Sequence, residues 1–159
     1  MKFYFLRHAD ALDGMDDESR PLSSRGRREA AAIGQFLKKA GVRFDAAYSS
    51  PLLRARETAE IILPLCVTGD KTKLQTADVL LNETPQVVFD RWFAALKAEH
   101  VLLVGHAPVL ADRVRKLLGL KNPEALSLPK CGMACLEIPQ PHSASLVWLI
   151  SPALVGAKV

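Results

Sequence analysis

Short apolar segments alternate along the chain with longer segments of helical periodicity, and this alternation limits the possible folds more than any other feature. Four segments have the length and composition of buried strands, and four have the apolar spacing of helices. The predicted strands are residues 3–7, 44–49, 76–81 and 101–105, and the predicted helices are residues 25–40, 51–63, 85–99 and 108–118. This order predicts an α/β fold, a three-layer sandwich in which helices cover both faces of a mostly parallel central sheet.

The C-terminal part of the chain predicts an antiparallel addition to that sheet. Residues 133–138 and 145–150 are interpreted as two short strands, and the turn-forming sequence QPHS lies between them. We expect an antiparallel hairpin at the sheet edge. Ser24 is expected to cap the first helix and Gly41 to end it. Since the length suits one domain, residues 1–159 are expected to form a single domain.

The charge and composition favour some classes of partner over others. A formal charge of +4 and a pI near 9.1 suit anionic substrates. The basic residues are dispersed and no basic run is interleaved with aromatic residues, so no nucleic-acid partner is expected. No segment approaches the roughly 18 apolar residues of a membrane span, and we expect a cytoplasmic protein without membrane association. The three cysteines lack zinc-site or disulfide spacing and are expected to be reduced.

Charged and imidazole side chains follow three of the predicted strands. Arg7 and His8 end the first strand, Arg54 lies in the first turn of the helix after the second strand, and His106 follows the 101–105 strand. The carboxyl ends of parallel strands meet at one edge, where ligands bind in open α/β sheets. Arginine binds phosphate through two parallel hydrogen bonds and stays charged. Nearby positive charge keeps imidazole neutral, and neutral imidazole is a nucleophile. The residues therefore predict a phosphate site in which one of the two histidines attacks phosphorus.

Other polar residues are expected to be structural. His100 is expected to cap the end of the 85–99 helix, and His142 to lie in the C-terminal turn. The acidic sequence DGMDDE, residues 13–18, is expected to be a solvated loop. No metal site is expected there, because no other residues supply ligands. Arg56 lies two positions beyond Arg54 and points elsewhere on a helix, so we do not place it in the site.

Four sequence motifs together resemble those of one enzyme family. They are LRHAD at residues 6–10, PLSSRGRREA at 21–30, SSPLLRARETAE at 49–60 and VGHAP at 104–108. In this order they resemble the histidine phosphatase superfamily, whose fold is phosphoglycerate-mutase-like, and the short length and hairpin tail are most similar to its SixA-type phosphohistidine phosphatases. The resemblance implies that His8 is the nucleophile and that Arg7, Arg54 and His106 bind the phosphate, without cofactor or metal.

The chain departs from the family pattern at two positions, and one role is left open. Ala9 replaces a glycine, and Glu57 stands where a glutamine is common. The proton donor is unassigned. In larger members of the family an acidic donor lies on an inserted segment over the site, but here only about fifty residues separate Pro51 from the 101–105 strand, which leaves little room for such a lid. Glu83, which follows the third predicted strand, is the first candidate. The rival carboxylates are those of the acidic loop, namely Asp10, Asp13, Asp16 and Asp17.

These observations lead to one expected function and two alternatives. We expect a metal-independent phosphatase that hydrolyses phosphohistidine on a phosphoprotein through a phosphohistidine intermediate on His8. The first alternative is a phosphatase of small phosphorylated metabolites with the same chemistry, and the second is a non-catalytic phosphate-binding domain. The protein is expected to be a monomer or a weak dimer.

Overall fold

The structure is a computed structural model that describes residues 1–14, 16–67, 69–139 and 143–157. It contains six strands and four α-helices within these residues. In chain order they are β1 (Lys2–Arg7), α1 (Ser24–Lys39), β2 (Ala46–Ser49), α2 (Leu53–Ile62), β3 (Leu74–Thr76), α3 (Gln86–Ala94), β4 (His100–Gly105), α4 (Val109–Leu117), β5 (Met133–Glu137) and β6 (Ser145–Ile150). Short 3-10 turns occupy Asp17–Ser19, Leu63–Leu65 and Asp78–Leu80. In the described part of the chain, no helix has the length and apolar composition needed to cross a membrane.

All six strands form one sheet in the order β3-β2-β4-β1-β5-β6. The first four strands of this order run parallel to one another, whereas β5 is antiparallel to β1 and β6 is antiparallel to β5. The predicted α/β class, with a mostly parallel sheet and an antiparallel C-terminal edge, is therefore confirmed. The predicted turn, with His142, falls on residues 140–142, which lie outside the described residues.

Helices cover both faces of the sheet, which gives three layers. On one face, Ile33 of α1 and Ile62 of α2 join a buried cluster with Leu6 of β1. On the other face, Phe89 of α3 and Leu110 of α4 join a second cluster. Alternate residues of β1 point into the two clusters, because successive side chains of a strand face opposite ways. The strand is continuously apolar because both of its faces are buried.

Two predicted elements are wrong in their extent. The predicted 76–81 strand ends at Thr76, and residues 78–80 form a 3-10 turn instead. The Thr84 hydroxyl donates to the Asp78 carbonyl at 2.8 Å, and the turn buries Leu80, so the apolar residues here serve a turn rather than a strand. The predicted 85–99 helix ends at Ala94. His100 does not cap it: this residue begins β4, and its Nδ1 lies 2.9 Å from the Tyr4 hydroxyl.

The starts of two helices also differ from prediction. Ser23, not Ser24, caps α1, and its Oγ accepts a hydrogen bond from the Gly26 amide at 3.0 Å. The second helix begins at Leu53 rather than at Pro51. The reason is that the Leu52 amide donates to Ser50 Oγ, which holds residues 50–52 in a turn before the helix. Gly41 follows α1 with φ of +75°, in agreement with its predicted role.

Gly26 allows α1 to approach the loop that follows β1. A Cβ on Gly26 would lie only 2.0 Å from the Asp10 carbonyl oxygen, which accepts a hydrogen bond from the Ser23 amide. We expect Gly26→Ala to lower the free energy of unfolding by about 1–3 kcal/mol, because backbone must move to relieve the overlap. Chemical denaturation measures the change. Ser24→Ala is the control, since Ser24 is exposed and does not cap the helix. A Gly26→Ala protein as stable as the parent would contradict this packing.

Candidate active site

The ends of β1 and β4 bring the two predicted site histidines together. Arg7 is in register with Gly105 on the neighbouring parallel strand, and the His8 amide donates to the Gly105 carbonyl at 3.0 Å. The next residue of each strand is therefore a histidine, and the His8 and His106 ring centroids lie 5.1 Å apart. The helices α1 and α4 pack on opposite faces of the sheet, so this point is the crevice where α/β sheets bind ligands.

The third strand of the site, β2, positions Arg54. Strand β2 pairs with β4 on the side away from β1, and α2 then begins one residue before Arg54. Thr58 joins α2 to the end of β1: its hydroxyl accepts from the Ala9 amide at 3.0 Å and donates to the Arg54 carbonyl at 2.7 Å. Arg54 is buried, and its positive charge acts on both imidazoles. The structure thus brings Arg54 to the two histidines.

His8 is held in the form that a nucleophile requires. Its Nδ1 lies 2.7 Å from the Ala9 carbonyl oxygen. A carbonyl oxygen only accepts hydrogen bonds, so Nδ1 carries the proton of the neutral ring and Nε2 keeps its lone pair. Burial, with smaller contributions from the charges of Arg54, Arg7 and Lys130, lowers the pKa of His8 to about 4. The imidazole is therefore neutral near pH 7.

His106 is also neutral, with a different set of contacts. Burial, followed by the neighbouring His8 and Arg54, lowers its pKa to about 3. Its Nε2 lies 2.5 Å from Ser50 Oγ. Its Nδ1 is buried and has no hydrogen-bond partner among the described residues. One nitrogen of this ring is thus held by the protein and the other is left for a ligand.

Arg7 and Arg54 each donate hydrogen bonds to other residues of the protein. Arg7 donates to the Leu128 carbonyl at 3.0 Å, and Arg54 donates to the Asp17 carbonyl at 2.8 Å. Arg54 also forms an ion pair with the Asp17 carboxylate, at 3.3 Å between nitrogen and oxygen. The Nε atoms of both arginines are buried without a partner among the described residues, as is His106 Nδ1. Buried polar atoms usually have partners, so three such atoms around His8 mark a binding site for an acceptor-rich group.

The carboxylates near the site have different surroundings. Glu83 is exposed in the turn at 81–84, and the neighbouring Asn82 amide donates to the Ala107 carbonyl at 2.8 Å, which places this turn beside His106. Asp10 bonds Lys130 at 2.6 Å, and Lys130 and then Ser23 lower its pKa.

Three carboxylates of the acidic loop contact other groups. Burial opposes ionisation of Asp17, but the charges and hydrogen bonds of Arg54 and Arg20 together outweigh it, and the pKa of Asp17 is lowered. Asp13 forms an ion pair with Arg20 at 3.3 Å, and Asp16 accepts from the Ser19 hydroxyl. Among the described residues, no group of three or more His, Cys, Asp or Glu side chains is arranged to hold a metal ion.

Both departures from the family pattern are accommodated by the packing. Ala9 is fully buried, and its methyl group belongs to the cluster under α1 and α2. The Glu57 carboxylate accepts from the Leu22 amide at 2.7 Å and pairs with Arg27 at 2.7 Å. Glu57 therefore links α2 to the segment before α1, and its negative charge is paired with the positive charge of Arg27.

The two site histidines predict a loss of stability in acid. In the unfolded chain a histidine has a pKa near 6.5, whereas in the folded protein the pKa of His8 is about 4. Between these values the unfolded state binds a proton that the folded state does not, so the free energy of unfolding falls as the pH falls from 6.5 to 4. For His8 alone the loss is about 3 kcal/mol. Urea denaturation at pH 7, 5.5 and 4.5 measures it, and His8→Gln should give a shallower dependence; identical pH dependences of the two proteins would contradict this assignment.

Comparison with known proteins places the chain in a family. The family model described as the histidine phosphatase superfamily (branch 1) matches residues 3–75. An uncharacterized protein of Picosynechococcus sp. is 32% identical over 155 residues, which cover 86% of this chain and 85% of that protein. The phosphohistidine phosphatase SixA of Escherichia coli is 28% identical over 160 residues, covering 96% of this chain and 94% of SixA.

A longer relative and a solved structure extend the comparison. The mitochondrial serine/threonine-protein phosphatase Pgam5 of Drosophila mojavensis is 31% identical over 93% of this chain, and the match spans only 58% of Pgam5. A structure of the protein histidine phosphatase SixA complexed with tungstate superimposes with a TM-score of 0.85 at 24% identity, covering 96% of this chain and 98% of the other. The fold is thus phosphoglycerate-mutase-like, and the chain belongs to the histidine phosphatase superfamily, in its SixA-type group.

Proposed function

We propose that this protein hydrolyses phosphohistidine on a phosphoprotein, through a phosphoryl group carried transiently on His8. The observation that carries the proposal is the state of His8: a neutral imidazole with its proton on Nδ1 and a free Nε2, next to the side chains of Arg7, Arg54 and His106. A nucleophilic nitrogen among fixed cations has the arrangement that phosphoryl transfer requires.

The proposed reaction has two steps. In the first, His8 Nε2 attacks phosphorus, the bond between phosphorus and the substrate nitrogen breaks, and the leaving imidazole takes up a proton. In the second, water attacks phosphorus, the bond to His8 Nε2 breaks, and inorganic phosphate leaves. Arg7, Arg54 and His106 stabilise the charge on the phosphoryl oxygens in both steps. We propose that the reaction is metal-independent, since guanidinium groups supply this stabilisation.

Glu83 is the proposed proton donor. The Asp10 and Asp17 carboxylates are engaged in ion pairs with Lys130 and Arg54. Glu83 lies exposed in the turn that Asn82 fastens beside His106, without such a cationic partner among the described contacts. Imidazole is a good base, so we expect the donor to matter less for phosphohistidine than for a phosphate ester.

Two cavities of small-molecule size lie away from the site, so support for the substrate class comes from the relatives. Small-molecule sites usually have volumes of roughly 300–1,000 Å³. Two cavities in this range, of about 510 and 420 Å³, lie at the amino end of β1 and are lined by residues such as Tyr4 and Phe3. Neither is lined by Arg7, His8, Arg54 or His106. What supports a protein substrate is the match to the phosphohistidine phosphatase SixA over most of both chains.

The experiment compares substrates directly. A small protein phosphorylated on histidine with phosphoramidate is offered beside phosphoserine and p-nitrophenyl phosphate, each with and without EDTA, and phosphate release is measured. We expect kcat/KM to be highest for the phosphohistidine protein, to be unaffected by EDTA, and to fall less in Glu83→Gln for this substrate than for the esters. A preference for the esters would overturn the substrate assignment, and no turnover of any substrate would favour a non-catalytic phosphate-binding domain.

A further inference from the structure

Ser50 makes a direct contact with one of the phosphate-binding side chains. It follows β2, is fully buried, and its amide donates to the Val104 carbonyl at 2.9 Å. This pairing with β4 brings Ser50 Oγ to 2.5 Å from His106 Nε2. The two residues are 56 positions apart in the chain, so only the sheet order places them together.

The direction of this hydrogen bond follows from the other contacts of the hydroxyl group. The Leu52 amide donates to Ser50 Oγ at 3.3 Å, so the oxygen already acts as an acceptor. The hydroxyl proton needs an acceptor of its own, and among the described contacts of Ser50 Oγ that acceptor is His106 Nε2. An Nε2 that accepts carries no proton. Because the His106 ring is neutral, its proton is then on Nδ1.

We propose that Ser50 is a positioning residue that fixes His106 in the Nδ1–H form, so that Nδ1 donates a hydrogen bond to a phosphoryl oxygen beside His8. This proposal rests on the proposed function for its ligand. The buried Nδ1, which has no partner among the described residues, is the donor that the phosphoryl oxygen would accept from.

The two histidines then have the same tautomer and opposite roles. His8 uses its Nδ1–H on the Ala9 carbonyl and presents the lone pair of Nε2, whereas His106 binds Ser50 through Nε2 and presents Nδ1–H. In the other tautomer, His106 would turn a lone pair toward the phosphoryl oxygens and repel them. Ser50 therefore controls whether this ring attracts or repels the phosphoryl group.

The test measures the tautomer and the rate separately. In protein labelled with 15N-histidine, the ring nitrogen shifts report which nitrogen is protonated, and His106→Gln identifies the His106 signals. We expect the parent protein to have Nδ1 protonated, and Ser50→Ala to show a mixture of tautomers. By analogy with partners that orient metal-ligating histidines, Ser50→Ala should lower kcat by about 10–100-fold, with a smaller change in KM, and Ser50→Thr should restore it.

Ser49→Ala is the matched control. Ser49 is also fully buried, but its hydroxyl donates to the Ser50 carbonyl at 3.0 Å and does not contact His106. This variant should keep the His106 tautomer and a rate within a few-fold of the parent. A His106 protonated on Nε2 in the parent protein would overturn the proposal, even if Ser50→Ala did not fold. A slow Ser50→Ala with an unchanged tautomer would also overturn it. If the tautomer is as proposed but phosphohistidine is not hydrolysed, the proposed function fails and the role of Ser50 in fixing the ring stands.

Discussion

Replacing His8 with alanine is expected to lower phosphohistidine hydrolysis by about 10⁴-fold or more, as removal of a catalytic nucleophile does in other enzymes that form covalent intermediates. The reason is chemical: Arg7, Arg54 and His106 bind the phosphoryl group, but none of them offers a free Nε2 in the position of His8. Water must then attack phosphorus directly. Phosphate release from the phosphohistidine protein, measured under saturating substrate, gives the loss.

The control for His8→Ala is His100→Ala. His100 begins β4, at the opposite end of the strand from His106, and its Nδ1 contacts the Tyr4 hydroxyl rather than the site. We expect His100→Ala to retain most of the activity and His8→Ala to retain the circular dichroism spectrum of the parent. A folded His8→Ala protein within tenfold of the parental rate would show that His8 is not the nucleophile.

Arg54→Ala is expected to lower kcat/KM by about 10²–10³-fold, the range found when one donor to a transition-state oxygen is removed. Arg54 is buried, and its charge reaches both imidazoles. Its removal takes a cation from the phosphoryl oxygens and leaves the Asp17 carboxylate paired with Arg20 alone among the described contacts. Arg54→Lys should recover only part of the loss, because an ammonium group cannot make the paired hydrogen bonds of a guanidinium.

Arg56→Ala separates a specific role of Arg54 from a general effect of positive charge. Arg56 lies on the same helix, also has a buried Nε without a partner among the described residues, and points roughly 200° away around the helix. We expect its replacement to change kcat/KM by less than about threefold, a range typical of small surface effects. Equal losses in Arg54→Ala and Arg56→Ala, measured on the phosphohistidine protein, would remove Arg54 from the phosphate pocket.

The architecture could be predicted because its signals are local. The apolar run of β4 indicates a strand buried on both faces, the short apolar stretches at 133–138 and 145–150 indicate two more strands, and the structure has strands at these places. The third strand was misplaced because Leu80 is an apolar residue buried in a turn. Hydrophobicity alone does not distinguish such a turn from a strand. The helix starts were misplaced because the Ser23 and Ser50 hydroxyls, rather than the nearest proline or serine, satisfy the first amides.

The residues of the site also fall into those that could be predicted from the sequence and those that could not. Arg7, His8, Arg54 and His106 could be assigned from sequence because each follows a strand, and parallel strands bring their carboxyl ends to one edge. Ser50 and Thr58 were missed, and Asp17 was considered only as a proton donor and not as the partner of Arg54. Each acts through a contact with a residue 37 to 56 positions away, and such contacts depend on sheet order and helix placement rather than on any local pattern.

The most direct test of the account is to trap the phosphoryl group on the enzyme. The protein is mixed with a 32P-labelled phosphohistidine protein, quenched in alkali within milliseconds, digested and analysed by mass spectrometry. We predict an alkali-stable, acid-labile phosphoryl group on the peptide that contains His8, present in the parent protein and absent from His8→Ala. Rapid hydrolysis without label on that peptide, or label on a residue other than His8, would contradict the account.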